Sequence, residues 1–185
     1  MNIYLTSYGL DIRYKDYMNS YKDIIDVLKN KNVAIIPNAK LLSQDRTNSS
    51  IAQEELAKNG IKSKIIDLDK DIFNVEDYDA LYLSGGEPKN LMDAIIKSEN
   101  YETISNFINI GGIIIGQSAG AMIFNKEYLD TTTGNLLIMH NGFDYYNKII
   151  VPHYNNLSSE LLSKIPEDIL KINDNDKLYK LDIKC

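Results

Sequence analysis

Residues 113–121 of the chain read IIIGQSAGA, an apolar run followed at once by a turn of very small residues. An apolar run this short is typical of a strand that is buried on both faces of a sheet. Gly116, Ser118 and Gly120 form the pattern G-x-S-x-G, and its place between a buried strand and a helix is the condition for a nucleophile elbow. We therefore predict that Ser118 lies on a tight strand-to-helix turn with its hydroxyl exposed.

The small residues of this turn have a physical reason. A Cβ atom at Gly116 or Gly120 would collide with neighbouring backbone, and Ser118 would be held in strained backbone geometry. The helix that begins after Ser118 would direct free N–H groups and its positive end at a developing oxyanion. A simpler alternative is a glycine-rich turn in which the serine only caps the helix.

Working outward from this turn, short apolar runs alternate with segments of helical periodicity. The predicted strands are 3–6, 33–36, 61–68, 79–84 and 113–115, and the predicted helices cover about 17–28, 49–58, 88–96 and 101–108. Strands that are apolar on both faces and alternate with helices indicate a parallel sheet covered on both sides. The predicted fold is a single α/β domain over 1–185, with a doubly wound, mainly parallel sheet flanked by helices.

The pattern weakens after about residue 125. A strand is predicted at 149–151, a short helix at 158–164, and a half-exposed strand at 179–183, where apolar and charged residues alternate. The exposed apolar edge of that last strand could pair with a second copy, so a homodimer is one prediction.

The composition excludes several classes of function. The chain has 185 residues, a net charge of −6 and one cysteine, Cys185. The acidic balance argues against nucleic-acid binding, and one cysteine cannot form a disulfide framework or a thiolate metal site. We find no apolar run of membrane-spanning length, no signal peptide and no nucleotide-binding glycine motif, and we expect a cytoplasmic protein that needs no cofactor or metal.

Two further features support a catalytic interpretation of Ser118. Gly85 and Gly86 follow another predicted strand, and ligand sites of doubly wound sheets lie at the carboxyl ends of strands. A serine needs a base to act as a nucleophile at neutral pH, and the chain has two histidines. His140 has no motif around it, whereas His153 follows the predicted strand 149–151, so His153 is the better candidate.

The blocks YLSGG at 82–86, GQSAGA at 116–121 and VPHY at 151–154 occur in an order that resembles peptidase E (alpha-aspartyl dipeptidase) and cyanophycinase, a family of serine peptidases. The likeness covers most of the chain and implies a fold like that of class I glutamine amidotransferases. It also implies that Ser118 is the nucleophile, that His153 is its general base, and that the N–H groups of Gly86 and Ala119 form the oxyanion hole.

The chain departs from the family pattern at two points. Glu87-Pro88 stands where members have a polar residue after the glycines. The family places its acidic residue after the histidine near the C-terminus, where Asp182 is the candidate here. Members continue further, so truncation of the chain at Cys185 is one prediction. Asp130 and Asp144 are weaker alternatives.

The preferred function is a serine peptidase-like hydrolase that cleaves a dipeptide or other short peptide through an acyl-enzyme at Ser118. The alternatives are a non-catalytic member of the same fold that binds a small peptide or amide, and a hydrolase of a non-peptide amide or ester. A preference for N-terminal aspartate is not carried over, because Arg13 and Arg46 lie far from Ser118 in sequence.

Overall fold

The computed structural model describes residues 1–17, 19–42, 46–130 and 136–182. Its strands are β1 Asn2–Thr6, β2 Asn32–Ile36, β3 Lys62–Ile65, β4 Ala80–Leu83, β5 Ile113–Gln117, β6 Tyr128–Asp130, β7 Leu137–Met139, β8 Ile149–Val151, β9 Ile169–Lys171 and β10 Tyr179–Lys180. Its α-helices are α1 Tyr21–Leu28, α2 Thr47–Lys58, α3 Pro88–Lys97, α4 Tyr101–Asn109, α5 Ala119–Met122 and α6 Ser159–Leu162. Short 3-10 helices cover Ile12–Tyr17, Val75–Asp77 and Tyr154–Asn156.

The main sheet has six strands in the order β10-β1-β5-β4-β2-β3. All neighbouring pairs are parallel except β1 and β10, which are antiparallel. The middle strands are buried on both faces; β4, for example, buries all four of its residues. One apolar cluster covers each face of the sheet. The predicted doubly wound, mainly parallel α/β fold is therefore confirmed.

The strand register brings three loops together at one edge of the sheet. Gly116 of β5 pairs with Leu5 of β1 on one side and with Leu83 of β4 on the other. The segments that follow β1, β4 and β5 therefore leave the sheet side by side at its carboxyl edge. This is the edge at which doubly wound sheets bind their ligands.

Two element boundaries differ from the sequence prediction. Helix α2 begins at Thr47, two residues before the predicted start at residue 49. Ser49 is buried inside the helix, where its hydroxyl is hydrogen-bonded to the Ser84 hydroxyl at 2.9 Å. Strand β3 ends at Ile65 instead of residue 68, and its residues alternate between half-buried and exposed, as suits an edge strand.

The segment after residue 123 forms two small sheets. Strands β6 and β7 make an antiparallel pair, and β8 and β9 make a parallel pair. The predicted strand at 179–183 is reduced to the two residues of β10, and Ile183 and Cys185 lie outside the described residues. Pairing of that edge with a second copy stays a prediction. Within the described ranges, no helix has the length and apolar character to cross a membrane.

Candidate active site

Ser118 directly follows β5 on a strained turn. Its φ of 48° and ψ of −109° are unusual for a residue with a side chain, and its N–H donates to the carbonyl of Thr6 at 2.9 Å. A Cβ at Gly116 would lie 2.6 Å from the carbonyl oxygen of Gly120, and one at Gly120 would lie 2.2 Å from the carbonyl oxygen of Leu83. The predicted reason for both glycines is confirmed.

The helix after the turn is shorter than expected. Helix α5 has four residues, Ala119–Met122, so it supplies a single turn and no long macrodipole. The expectation of a strong positive helix end at Ser118 is corrected accordingly. What this turn offers to an anion is its first backbone N–H groups.

His153 lies beside Ser118. It follows β8 in a left-handed conformation, with φ of 56° and ψ of 26°, and its backbone N–H donates to the Ser7 hydroxyl at 3.0 Å. Its Nε2 is 3.1 Å from Ser118 Oγ, which is hydrogen-bonding distance. The side chain of Tyr8 packs edge-on against the imidazole, with ring centroids 4.7 Å apart.

Asp174, and not the predicted Asp182, is the acid in contact with His153. Asp174 Oδ1 lies 2.5 Å from His153 Nδ1, and its side chain is fully buried. Asp182 is exposed and lines a different cavity together with Asp144. Asp130 is buried at the end of β6. The sequence prediction of Asp182 is corrected, because the strand expected to carry it leads away from His153.

Two asparagines fix Asp174. The Nδ2 group of Asn156 donates to Asp174 Oδ2, and Asn155 Oδ1 accepts the backbone N–H of Asp174 at 2.9 Å. With the carboxylate accepting at Nδ1–H, His153 Nε2 is the nitrogen left to accept the Ser118 proton. The geometry is that of a nucleophile, a base and an orienting acid hydrogen-bonded in series.

The sequence contains a signal for Asp174 in the apolar run that precedes it. The run Ile169-Leu170-Lys171 is β9, which pairs in parallel with β8. His153 and Asp174 therefore follow the carboxyl ends of two neighbouring parallel strands. A short apolar run that ends in polar residues 173–176 could have been interpreted as a strand with a functional loop.

Gly85 and Gly86 approach different neighbours. A Cβ at Gly85 would lie 3.3 Å from Ser118 Cβ, so this glycine lines the site. A Cβ at Gly86, which has φ of +154°, would lie 2.4 Å from the carbonyl oxygen of Ala39. The N–H of Glu87, the residue that departs from the family pattern, donates to that same oxygen at 2.8 Å. The role of the Gly86 and Ala119 N–H groups in an oxyanion hole stays a prediction.

Ser118 and His153 line a cavity of about 470 Å³. Its wall also contains Arg13 and Lys40, so the fold brings cations to Ser118 that the sequence placed far away. Arg13 is paired with buried Asp11 at 2.5 Å, and this hydrogen bond raises the pKa of its guanidinium. Because Asp11 offsets the charge of Arg13, the cavity does not hold an isolated arginine charge.

Known peptidases are similar to this chain in sequence. The sequence model of peptidase family S51 matches residues 3–185. An uncharacterized peptidase of Listeria innocua is 25% identical over 182 residues, covering 92% of this chain and 85% of that protein. An uncharacterized peptidase of Pasteurella multocida is 24% identical over 157 residues, covering 77% of this chain and 74% of that protein.

Two solved structures are similar in fold. A protein of Listeria monocytogenes, provisionally assigned as peptidase E, superposes with a TM-score of 0.70 at 18% identity and covers 98% of both chains. A peptidase from an acI-B1 actinobacterium superposes with a TM-score of 0.59 at 20% identity, covering 90% of this chain and 72% of that one. Since the family model spans nearly the whole sequence, the chain belongs to peptidase family S51, the peptidase E family.

Proposed function

We propose that this chain is a serine-type peptidase that cleaves dipeptides or other short peptides through an acyl-enzyme at Ser118. The observation that carries the proposal is the hydrogen-bonded series of Ser118 Oγ, His153 and buried Asp174, which opens into one cavity. Family membership supports a peptidase function, and this series supports the serine-type chemistry.

In the first half-reaction, His153 Nε2 removes the proton of the Ser118 hydroxyl while Oγ attacks the scissile carbonyl carbon. The carbonyl π electrons move to oxygen, and the N–H groups of Gly86 and Ala119 are the proposed donors to that oxyanion. Collapse breaks the C–N bond, and the imidazolium passes its proton to the leaving amine. Ser118 then carries an acyl ester.

In the second half-reaction, water takes the place of the amine. His153 removes one proton of the water as its oxygen attacks the ester carbonyl, and the proton then returns to Ser118 Oγ as the acid product leaves. Asp174 keeps the imidazole in one tautomer and stabilises its positive charge throughout. Each cycle consumes one water and leaves the side chains unchanged.

The size of the cavity supports a small substrate. Its volume of about 470 Å³ lies in the lower part of the range of about 300–1,000 Å³ typical of small-molecule sites. We therefore place dipeptides and short peptides ahead of protein substrates. The non-catalytic alternative was motivated by the short C-terminus and by the altered Glu87-Pro88 loop. Asp174, which contacts His153 Nδ1, supports the catalytic interpretation over it.

The direct test is labelling by a fluorophosphonate, followed by intact-mass spectrometry. We expect one adduct per chain for the wild type and none for Ser118→Ala, with a dipeptide library used next to find substrates. Serine labelling together with peptide cleavage would support the proposal. Folded wild-type protein that is neither labelled nor active on any peptide would overturn it and favour the binding-protein alternative.

A further inference from the structure

Gln117, the residue between Gly116 and Ser118, has a buried side chain with partners in two other loops. It is 3% exposed. Its Nε2 donates to the carbonyl oxygen of Tyr8 at 2.8 Å. Its Oε1 accepts the hydroxyl of Tyr82 at 3.1 Å and the N–H of Gly85 at a longer 3.4 Å.

The chemistry of the partners fixes the orientation of this amide. The carbonyl of Tyr8 can only accept and the N–H of Gly85 can only donate, so the Gln117 oxygen must face Gly85. The hydroxyl oxygen of Tyr82 accepts the N–H of Leu10 at 3.0 Å, which leaves its one proton for Gln117 Oε1. We call these five residues, Tyr8, Leu10, Tyr82, Gly85 and Gln117, the Gln117 network.

The packing is tight at the Tyr82 end of the network. Tyr82 is completely buried, and this burial raises the pKa of its hydroxyl, which therefore remains a hydrogen-bond donor. A Cβ at Gly9 would lie 2.2 Å from the Tyr82 hydroxyl oxygen, and the φ of Gly9 is +60°. Losing a partner here would leave a buried polar group without a hydrogen bond, which destabilises the arrangement.

Each end of the network touches a different part of the proposed active site. The ring of Tyr8 packs against His153, and Gly85 precedes the proposed oxyanion donor Gly86. Gln117 itself immediately precedes Ser118. A shift of one buried amide would therefore move the surroundings of the nucleophile, the base and the oxyanion loop together.

We propose that Gln117 and Tyr82 are positioning residues that hold the Tyr8 and Gly85 backbones in register with Ser118 for the transition state. This inference rests on the proposed peptidase function. The two side chains act through the backbone groups that they hold, so we expect them to affect the chemical step more than substrate affinity. In kinetic terms, kcat should fall while KM stays nearly unchanged.

The test compares Tyr82→Phe with Tyr128→Phe. Both tyrosines are fully buried, and Tyr128 donates to Asn141 Oδ1 at 2.8 Å without lining the Ser118 cavity. We expect Tyr82→Phe to lower kcat and the rate of fluorophosphonate labelling by about tenfold or more, with KM within about twofold of wild type. Tyr128→Phe should keep both rates within about twofold of wild type. Equal losses in the two variants would overturn the positioning role.

Amide hydrogen exchange provides a readout that does not depend on activity. The N–H groups of Leu10 and Gly85 should exchange faster in folded Tyr82→Phe than in wild type or Tyr128→Phe. Unchanged exchange rates at both amides would contradict the proposed positioning role, even if the enzyme is active. A wild-type chain that cleaves no peptide would instead remove the proposed function, so the two failures are distinguishable.

A second pair of variants tests the amide itself. Gln117→Glu keeps the size of the side chain but places an oxygen against the carbonyl oxygen of Tyr8. Gln53→Glu makes the same change where Nε2 donates to the carbonyl of Ser63 at 3.4 Å, on helix α2. We expect the larger loss of kcat in Gln117→Glu, with Tyr82→Phe showing the same direction. Equal kcat values in the two glutamate variants would contradict the network.

Discussion

Ser118 is held by the backbone of the parallel sheet, whereas His153 and Asp174 are held mainly by side chains. On the Ser118 side, glycine contacts of 2.6 Å and 2.2 Å, measured from added Cβ atoms to carbonyl oxygens, leave the elbow no alternative path. On the other side, β8 and β9 have three residues each, and the hydroxyl of Ser7 and the amides of Asn155 and Asn156 complete the geometry. The comparison teaches that the path of the turn that carries the nucleophile is set by close backbone packing, whereas the positions of the base and the acid are set by hydrogen bonds of short loops.

The largest expected effect is the loss of kcat on substitution of Asp174, compared with substitution of Asp182, the acid predicted from the sequence. Asp174→Asn should lower kcat by up to about 10⁴-fold, because His153 loses the partner that selects its tautomer. Asp182→Asn is the matched control and should keep the wild-type rate, since Asp182 is exposed in a different cavity. Steady-state hydrolysis of the best dipeptide measures both. A large loss in Asp182→Asn alone would reverse the assignment.

The close backbone packing around the Ser118 turn can be tested by a substitution at Gly120. We expect Gly120→Ala to lower the free energy of unfolding by about 3 kcal/mol or more, because its Cβ would overlap the carbonyl of Leu83. Gly60→Ala is the control: no atom lies within 4 Å of its added Cβ, and only the φ of +71° is unfavourable, worth about 1 kcal/mol. Urea unfolding of both variants measures the difference. Equal losses would show that the contact at Gly120 can relax.

Asp67, which follows β3 of the main sheet, is held by hydrogen bonds from side chains, unlike the turn at Ser118. Burial alone would raise the pKa of its carboxyl, but hydrogen bonds from Arg46, Asn38, Lys70 and the Asp69 N–H lower it from 3.8 to about 2. The folded state therefore keeps the carboxylate ionised where the unfolded chain is already protonated. Its stabilisation, about 2 kcal/mol, is fully present above about pH 4 and is lost as the pH falls toward 2.

Urea unfolding at pH 5 and near pH 2 measures this contribution. The free energy of unfolding of the wild type should fall by about 2 kcal/mol more than that of Asp67→Asn over this interval. Asp168→Asn is the control, since Asp168 is an exposed carboxylate paired with Lys148, and it should follow the wild type. A wild type whose pH dependence equals that of Asp67→Asn would contradict the prediction.

The smallest expected effect concerns Asn156. Asn156→Ala removes one donor to the buried carboxylate of Asp174, and we expect kcat to fall by about tenfold. Asn74→Ala removes an amide that accepts the N–H of Glu76 far from the site in sequence, and it should leave kcat unchanged. The same dipeptide assay measures both. An unchanged kcat in Asn156→Ala would show that Asp174 is held sufficiently by burial and by Asn155.

The sequence predicted the strands of the main sheet, the strand at 149–151 and the helix at 158–164, but it did not predict β6, β7 or β9. A buried strand needs apolar residues and a tight turn needs glycines, so the local sequence was sufficient to predict β5 and the turn at Ser118. Strand β9 has only three residues, and its pairing with β8 is a long-range choice that no local pattern contains. The apolar run 169–171 before polar residues indicates a strand followed by a loop, but the closeness of Asp174 to His153 depends on that pairing. The role of Gln117 could not be predicted either, because a single glutamine in a turn gives no sequence pattern that indicates its partners in other loops.

Ser7, which follows β1, links the main sheet to the loops after β8 and β9 beside the site. Its hydroxyl accepts the His153 N–H and faces the carbonyls of Ile172 and Asn173 at 3.2 and 3.3 Å. Opening this joint would separate the base from the nucleophile while every hydrogen bond of the central parallel strands stays intact. Thermal inactivation is therefore expected to begin as a local, reversible opening beside the site, at a temperature below the melting of the sheet.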